Sequence, residues 1–570
     1  ISRDGAKPQF GAANDRVFMV ASTDGKSQLV STDLNGEDKR VHASGELVSD
    51  YEVSPDGRTL AFRQNYDAYV TPLMPGGQAV TVGEKASSLP VVRASKGGAD
   101  YIGWTQGGDM LTWSMGPVLY RASLDAMFAD APKEKDAPAF VPPTSGTSLE
   151  RTIAKAKPTG TVVLTGAKIL TMTGDGAGEI ANGAIVITGD RIAAIGPVDS
   201  VAVPQGATVI DASGKTIMPG LVDAHAHGPQ GVGDLVPQQN WSLVQNLAMG
   251  TTTLHDPSSS ASMIFSASER QQAGSLLAPR IFSTAEIVYG AKAPSVYARI
   301  DSYDDALAHI RRIKAQGGIS IKNYNQPRRE QRQQVVAAAR AEDMLVVAEG
   351  GSLFGMDMNL IADGNSTIEH NVPGEVFYED VLQFWEGSQS NYTPTLVVTY
   401  GGLAADPYWR QATDVFDNPL MVHTPPRQLI AQTARRVTAP EWAFVDDEAA
   451  REARKLAQRG VKVSIGAHGQ QAGVAAHWEL WSFARGGMSA VEALRAGTIE
   501  PARSLGMERD IGSLEVGKLA DLLVLSADPS ENIRNSDKID RVMLGGRLYD
   551  ARTMNEVETG NARRLPYWWE

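Results

Sequence analysis

Apolar and polar residues alternate in short runs along the first part of the chain, and turn residues separate these runs. The segment 51–64 places a Pro-Asp-Gly turn between two apolar runs, which predicts a β-hairpin. Looser copies flank it at a spacing of about 40 residues, the length of one four-stranded propeller blade. We therefore predict β-propeller blades over residues 1–124.

These blades do not make a complete propeller. Residues 1–124 provide about three of them, whereas propellers have about four to eight. Open blades expose sheet edges and apolar faces, which favours a partner segment or partner subunit that completes the ring. A small open β-domain is the alternative.

The pattern changes twice beyond residue 124. Residues 125–160 are rich in Ala, Pro, Lys and Asp, which is typical of a linker. Alternating apolar residues return at 161–218 and again at 507–551, and both stretches predict strands of one composite β-sandwich. Residues 552–570 form a C-terminal tail.

Between the two halves of this sandwich, strand-like and helical runs alternate, as in a parallel α/β fold. The length of 219–506 is close to the ~250 residues of a TIM barrel. We predict a (β/α)8 TIM-like barrel, so that the whole chain is a multidomain β and α/β protein. The eight strand-like runs are 221–227, 251–256, 280–288, 319–325, 344–350, 366–372, 393–400 and 461–468.

Composition narrows the chemistry. Among 570 residues, 53 Lys and Arg face 66 Asp and Glu, so the net charge of −13 disfavours nucleic acid and anionic membranes as partners. No apolar run approaches the ~20 residues of a membrane span. The chain has no cysteine, which excludes disulfides, thiolate ligands and a cysteine nucleophile. Any metal must be held by His, carboxylates or a modified side chain.

Histidines mark a candidate metal site. In PGLVDAHAHG, His225 and His227 are two residues apart, so both side chains project to one face of a strand. Such a pair alone is more often unrelated to metal. Five of the nine histidines, however, fall at predicted C-terminal strand ends, where barrel active sites lie. They are His225, His227, His255, His370 and His468.

PGLVDAHAHG, the sandwich before it and IGSLEVGKLADLLVL after it resemble the amidohydrolase superfamily, especially its imidazolonepropionase-like and prolidase-like members. The resemblance covers about residues 160–551, and the N-terminal blades resemble those of tricorn and Tol-type propellers. In that superfamily the first barrel strand supplies His-x-His and the fourth a carboxylated Lys or a Glu. The fifth and sixth each supply a His, and the eighth supplies an Asp that takes the proton from the attacking water.

The resemblance implies a ligand set with two departures. His225, His227 and His370 match the pattern. Lys322 ends strand four, either as a carbamate that bridges two metals or as an unmodified Lys paired with a carboxylate. Glu349 replaces the strand-five His, and His468 replaces the strand-eight Asp. Both remain acceptable ligands, and either Glu349 or His468 is predicted to accept the catalytic proton.

Further residues near these strand ends are predicted to assist. His255 and Asp256 end strand two, where they could orient a metal ligand. Tyr324 and Arg328 follow Lys322, and an arginine there could clamp a substrate carboxylate or simply begin a helix. Tyr400 ends strand seven, where its hydroxyl could donate to a developing oxyanion.

The preferred function is a metal-dependent amidohydrolase of the dipeptidase-like or prolidase-like kind that cleaves an amide or peptide-like C–N bond through a metal-activated water. One or two divalent ions, zinc foremost, are expected, and the substrate is a small molecule or short peptide. The alternatives are hydrolysis of a lactone, cyclic imide or phosphotriester, or a catalytically weak propeller-based binding protein. We also expect a homo-oligomer. Resemblance favours the periplasm or secretion, with the cytoplasm left open.

Overall fold

The computed structural model describes most of the chain, which forms two compact units. The described residues are 5–23, 25–74, 77–129, 140–228, 230–232, 235–292, 297–324, 326, 328–350, 353–374, 376–433 and 438–570. One unit comprises 1–152, 288–317 and 324–342, and the other comprises 153–287, 318–323 and 343–570. The domain boundaries predicted at residues 124, 160, 218, 506 and 551 stay predictions.

The N-terminal region is rich in sheets, as predicted. Its strands form one five-stranded sheet of order β1-β2-β3-β4-β8 and two four-stranded sheets of orders β5-β6-β7-β9 and β10-β11-β12-β13. The assignment of these sheets to a propeller stays a prediction. The strands are β1 (Ala6–Phe10), β2 (Arg16–Thr23), β3 (Lys26–Asp33), β4 (Arg40–Gly45), β5 (Val48–Val53), β6 (Thr59–Gln64), β7 (Asp67–Pro72), β8 (Val80–Thr81), β9 (Val92–Arg93), β10 (Asp100–Trp104), β11 (Met110–Met115), β12 (Val118–Ser123) and β13 (Thr147–Ser148).

The hairpin predicted around the Ser-Pro-Asp-Gly turn is confirmed, because β5 pairs antiparallel with β6. Gly57 N donates to Ser54 O (2.8 Å) and closes the turn. Gly57 has a φ of +72°, which glycine adopts without a side-chain clash. The Ser54 hydroxyl donates to Asp56 Oδ1 (2.6 Å), so the two polar residues of the motif stabilise the turn together.

A single sheet joins the two sandwich segments predicted from sequence. Its order is β16-β15-β14-β18-β27-β28-β29, with β17 paired to β14. β18 and β27 pair antiparallel, so the chain leaves this sheet at Pro219 and returns at Leu522. The strands are β14 (Thr161–Leu170), β15 (Glu179–Thr188), β16 (Arg191–Pro197), β17 (Thr208–Asp211), β18 (Thr216–Pro219), β27 (Leu522–Leu525), β28 (Ile539–Leu544) and β29 (Arg547–Asp550).

The region between β18 and β27 contains parallel strands at six of the eight predicted positions. β19, β20 and β21 are neighbours, and β23 to β26 follow one another in a second sheet. Backbone hydrogen bonds continue the series, since Ile319 N donates to Ser283 O (3.3 Å) and Ala224 N donates to Ile465 O (3.2 Å). The strands are β19 (Leu221–Asp223), β20 (Thr251–Asp256), β21 (Arg280–Ser283), β22 (Val288–Tyr289), β23 (Ser320–Tyr324), β24 (Leu345–Glu349), β25 (Thr367–Glu369) and β26 (Asn391–Thr393).

The seventh and eighth predicted strands differ from expectation. β26 ends at Thr393, and a 3-10 turn follows at Leu396–Val398. The segment 461–468 is extended, but only Val463 forms a bridge, with Tyr392. Thr395 has a φ of +54°, which turns the chain out of the extended conformation that the apolar sequence predicted.

Two buried carboxylates replace the missing ladder bonds. Glu479 accepts from Val397 N (2.7 Å) and from Gly466 N (3.3 Å). Asp223 Oδ1 accepts from Ala467 N (3.1 Å). Buried backbone N–H groups need a partner, so these side chains stabilise the irregular segments.

Helices alternate with the strands along this part of the chain, and their ends follow common capping rules. Ser489 and Glu492 form a capping box at one helix start, as do Ser302 and Asp305 at another. No described helix combines the length and the apolar character that a bilayer crossing requires. The helices are α1 (Leu124–Met127), α2 (Trp241–Ala248), α3 (Ala261–Gln272), α4 (Tyr303–Gln316), α5 (Arg329–Ala341), α6 (Phe354–Ala362), α7 (Glu379–Ser388), α8 (Ala405–Ala412), α9 (Pro426–Thr433), α10 (Asp446–Ala457), α11 (Val474–Arg485), α12 (Ala490–Ala496) and α13 (Ile499–Ser504).

Glu479 makes the stability of this fold depend on pH. Burial raises the pKa of Glu479 from an ordinary value near 4.5 to about 8. Between these values the unfolded chain has lost a proton that the folded protein keeps, so the unfolding free energy falls as pH rises, by about 1.4 kcal/mol per pH unit. Glu479→Gln lacks this titration. Its amide NH2 group faces a backbone N–H donor, and this unfavourable contact lowers the stability of the variant.

We therefore expect the stability deficit of Glu479→Gln relative to wild type to shrink between about pH 5 and about pH 8. Urea unfolding at several pH values measures this. The exposed control Glu150→Gln should keep the pH dependence of wild type. A Glu479→Gln deficit that is constant with pH would show that this carboxyl titrates normally.

Candidate metal centre

Histidines from three separate strand ends converge on one point. His225 follows β19, His370 follows β25, and His468 ends the eighth segment. One ring nitrogen from each lies within 4.8 Å of the other two. His227 Nε2 lies 3.0 Å from His225 Nε2, which adds a fourth nitrogen beside the cluster. The structure thus brings together all four histidines predicted as ligands, and their ligand role stays a prediction.

Two carboxylates orient the first pair of rings. His225 Nδ1 lies 2.7 Å from Glu369 Oε2, and His227 Nδ1 lies 2.9 Å from Asp256 Oδ1, so each pair shares a hydrogen bond. Burial raises the pKa of both carboxyls, that of Glu369 to about 7. Where the carboxyl is ionised it only accepts, so the ring then has its proton on Nδ1 and a lone pair on Nε2. Two Nε2 lone pairs that face each other repel, and a cation beside them removes that repulsion.

Burial keeps the cluster in the neutral form that binds metal. Burial is the main reason why the pKa of His225 lies well below its usual range, and the positive charge of Lys322 lowers this pKa further. Burial and the neighbouring His227 lower the pKa of His468 to about 3. His370 Nδ1 is buried and has no hydrogen-bond partner among the described residues, a cost that a bound ion would offset. These donors fit a divalent ion such as zinc.

Lys322 and Glu349 form a buried ion pair beside the histidines. Lys322 Nζ lies 2.6 Å from Glu349 Oε2, and His370 Nε2 lies 3.5 Å from the same oxygen. Burial alone would raise the pKa of Glu349, but the Lys322 charge and the His370 hydrogen bond outweigh it and hold this pKa below the usual range. Glu349 is therefore ionised. Of the two arrangements open for Lys322, the structure contains the ion pair, and its carboxylation stays a prediction.

The backbone is left-handed at two of the cluster residues. His370 has a φ of +66° and His468 a φ of +56°. Histidine, asparagine and aspartate are the side chains most often found there, apart from glycine. His468 Nδ1 lies 3.1 Å from Gln470 Oε1, an acceptor that leaves the Nε2 lone pair of His468 available.

The other predicted residues have different surroundings. His255 is fully buried between Ala224 O (3.1 Å) and Ser320 Oγ (2.7 Å), so it links strands and contacts no cluster histidine through these bonds. The rings of Tyr400 and His370 are 5.3 Å apart, which places Tyr400 at the site. Tyr324 and the exposed Arg328 belong to the N-terminal unit, and their substrate roles stay predictions.

Sequence reasoning missed Glu369, although it precedes His370 directly. Strand alternation places neighbouring side chains on opposite faces. The positive φ of His370 breaks this alternation, so Glu369 and His370 both contact the cluster. An acidic residue beside a strand-end histidine is the signal that could have identified it.

Glu369→Gln should weaken metal binding by about 10- to 100-fold. A glutamine that donates to Nδ1 of His225 stabilises the tautomer whose proton lies on Nε2, where the ion binds. Competition with a chromogenic chelator measures the affinity. The exposed control Glu330→Gln should bind as wild type does. Equal affinities for Glu369→Gln and wild type would contradict the orienting role of Glu369.

Comparison with known proteins agrees with this geometry. The sequence profile of the amidohydrolase family matches residues 216–549, more than half of the chain. The chain belongs to the amidohydrolase family. This is a metal-dependent family, and the histidine triad is the group in this amidohydrolase that could hold the ion.

Individual relatives match much shorter parts of the chain than the family profile does. An imidazolonepropionase of Symbiobacterium thermophilum is 40% identical over 81 residues, which is 14% of this chain and 17% of the relative. A 5-methylthioadenosine/S-adenosylhomocysteine deaminase of the same organism is 41% identical over 66 residues, 12% of this chain and 15% of the relative. This amidohydrolase thus spans under a fifth of the length of either relative.

A solved structure resembles a larger part of this chain in its fold. The crystal structure of a putative prolidase from Bifidobacterium longum superposes with a TM-score of 0.53 and 23% identity. The match covers 72% of this chain and 97% of that one. At this identity the likeness concerns the fold alone.

Proposed function

We propose that this amidohydrolase cleaves the C–N bond of an amide or peptide-like small molecule with the help of one bound divalent ion. The observation that supports this is the convergence of His225, His370 and His468 within 4.8 Å. The names of the relatives also favour C–N hydrolysis, since they include an imidazolonepropionase, a deaminase and a putative prolidase.

The ammonium form of Lys322, as in its ion pair with Glu349, is compatible with one ion rather than two. An ammonium group has no lone pair and repels a cation, so Lys322 offers no ligand in this form. The nitrogen donors would then come from the histidines, a ligand type that zinc accepts. A bridging pair of ions would require carboxylation of Lys322.

The side chains around the ion have different roles in the proposed hydrolysis. A bound divalent ion supplies polarisation of the scissile carbonyl and lowers the pKa of water. Glu349 Oε2 accepts the proton of the attacking water and returns it to the leaving nitrogen. Lys322 keeps Glu349 ionised, and the Tyr400 hydroxyl donates to the oxyanion that develops on the substrate.

Metal content combined with an activity screen tests this proposal. We expect about one equivalent of zinc per chain, held by histidine donors that leave one position open for water, and no mass gain of a carbamate on Lys322 in gentle mass spectrometry. Dipeptides and N-acyl amino acids should be hydrolysed, and a chelator should abolish this until zinc is restored. Turnover of lactones or phosphotriesters in place of amides would overturn the bond assignment. Lack of any metal after reconstitution would overturn the hydrolase itself.

A further inference from the structure

A second cavity lies at the opposite ends of the barrel strands from the histidines. Its volume is about 680 Å³, and Arg280, the first residue of β21, lines it. Strand register pairs Arg280 with Thr253 and Ser283 with Asp256, the residue that holds His227. At about 3.3 Å per residue, about 10 Å of strand separates Arg280 from the level of Asp256. No cluster histidine lines this cavity.

The wall of this cavity is basic, although the chain is acidic overall. Only two lining residues are acidic, Asp190 and Asp510, in a chain whose net charge is −13. The basic lining residues are Lys155, Lys157, Arg191, Arg280, Arg547, Arg563 and Arg564. Such a concentration of positive charge attracts anions.

Most of these charges are neutralised within the fold. Arg280, for example, donates to both carboxylate oxygens of Asp521 (2.8 and 3.1 Å), and Arg191 pairs with Asp510 (2.8 Å). Lys155 and Arg563 are different, because both are exposed and form no ion pair with any residue that the structure describes. These two cations are available to a ligand.

Hydrogen bonds fix the segments on which the two cations lie. Ala156 N donates to Gln272 O (2.9 Å), which anchors the chain next to Lys155 on the last residue of α3. Gln239 Nε2 donates to Leu565 O (2.8 Å), which anchors the chain two residues after Arg563. The cavity wall is therefore largely formed before a ligand arrives, which lowers the entropy cost of binding.

The lining also contains apolar side chains, beside neutral polar ones such as Gln239, Gln271 and Ser275. Leu277, Phe282 and Met507 are partly exposed to the cavity, and the buried Leu276 and Ile511 lie behind them. A cavity of this size that combines apolar surface with polar groups can take a small molecule. Two available cations beside apolar side chains favour a ligand with an acidic group and an apolar body.

We propose that this cavity binds a small organic anion with one acidic group, such as a carboxylate, and an apolar body. The acidic group lies at Lys155 and Arg563, and the apolar body packs on Leu277, Phe282 and Met507. This site is separate from the metal centre and does not depend on the function proposed for it.

Fluorescence titration of the metal-loaded chain with 8-anilinonaphthalene-1-sulfonate tests the site, because this probe combines an aromatic body with one sulfonate. We expect the Lys155→Glu/Arg563→Glu variant to bind the probe about tenfold more weakly, since two exposed attractions become repulsions. The matched control Lys26→Glu/Arg121→Glu reverses two exposed charges that do not line the cavity, and it should bind as wild type does.

Two further experiments locate the bound probe and identify which chemical group of the ligand the cavity recognises. Ser275→Trp places a bulky ring at an exposed lining position and should abolish saturable binding. His370→Ala, which alters only the metal centre, should leave binding unchanged. The probe should be displaced by 1-naphthoate but not by uncharged 1-naphthamide. Unchanged titrations in both cavity variants would overturn the site, and equal displacement by both naphthyl compounds would overturn its preference for anions.

Discussion

Glu349→Gln is expected to lower kcat by about 10²- to 10⁴-fold, the contribution of a positioned general base. Glutamine keeps the shape of the side chain and can still accept from Lys322, but it cannot take a proton from water. The metal content should remain that of wild type, since the proposed ligands are the histidines. Steady-state kinetics on the substrate identified in the screen, together with metal analysis, measures both quantities.

Loss of activity through poor folding must be separated from loss of a base. Removal of the Glu349 charge leaves the Lys322 ammonium buried without its counter-ion, which destabilises a protein by about 3–5 kcal/mol. The double variant Lys322→Met/Glu349→Gln removes both charges and should restore the melting temperature but not kcat. A double variant that recovers activity would show that Glu349 serves folding only. Loss of metal in this variant but not in Glu349→Gln would instead point to a Lys322 carbamate.

Loss of the metal itself is the second large effect. His370→Ala removes one of three converging nitrogens, so zinc should be lost on purification and activity should fall to background. A ligand present at 100 times its Kd stabilises the folded state by about 2.7 kcal/mol. Zinc added to metal-free wild type should therefore raise its melting temperature, and the same addition should have little effect on His370→Ala.

A buried histidine away from the cluster provides the matched control. His42 hydrogen-bonds to Ser31 (2.7 Å) in the N-terminal unit, and His42→Asn tests the loss of a buried imidazole as such. This variant should retain zinc and the zinc-dependent rise in melting temperature. If His370→Ala also retains both, the histidine cluster is not the metal site.

Local sequence patterns were sufficient to predict much of this arrangement. The spacing of His225 and His227 follows strand alternation, and β19 does end just before them. His370 was predicted from its place at the sixth strand-like run and from the family pattern, and β25 ends beside it. Position within a repeated strand and helix pattern is a local property, so a single sequence reveals it.

The residues that sequence reasoning missed act across long stretches of chain. Asp223 accepts from the backbone of Ala467, 244 residues away, and Glu479 accepts from Val397, 82 residues away. Nothing near Val397 or Ala467 in sequence indicates that a distant carboxylate replaces their ladder bonds. The seventh and eighth strands were therefore predicted too long, because their apolar residues favour strands wherever a ladder is available.

The left-handed backbone at His468 also bears on how this centre can evolve. Aspartate tolerates that conformation about as readily as histidine does, and the codons of the two amino acids differ by a single base. The position to which the family resemblance assigns an aspartate can thus change identity in one mutational step, without reshaping the chain around it. A single substitution can therefore exchange a nitrogen donor for an oxygen donor at this position, or the reverse.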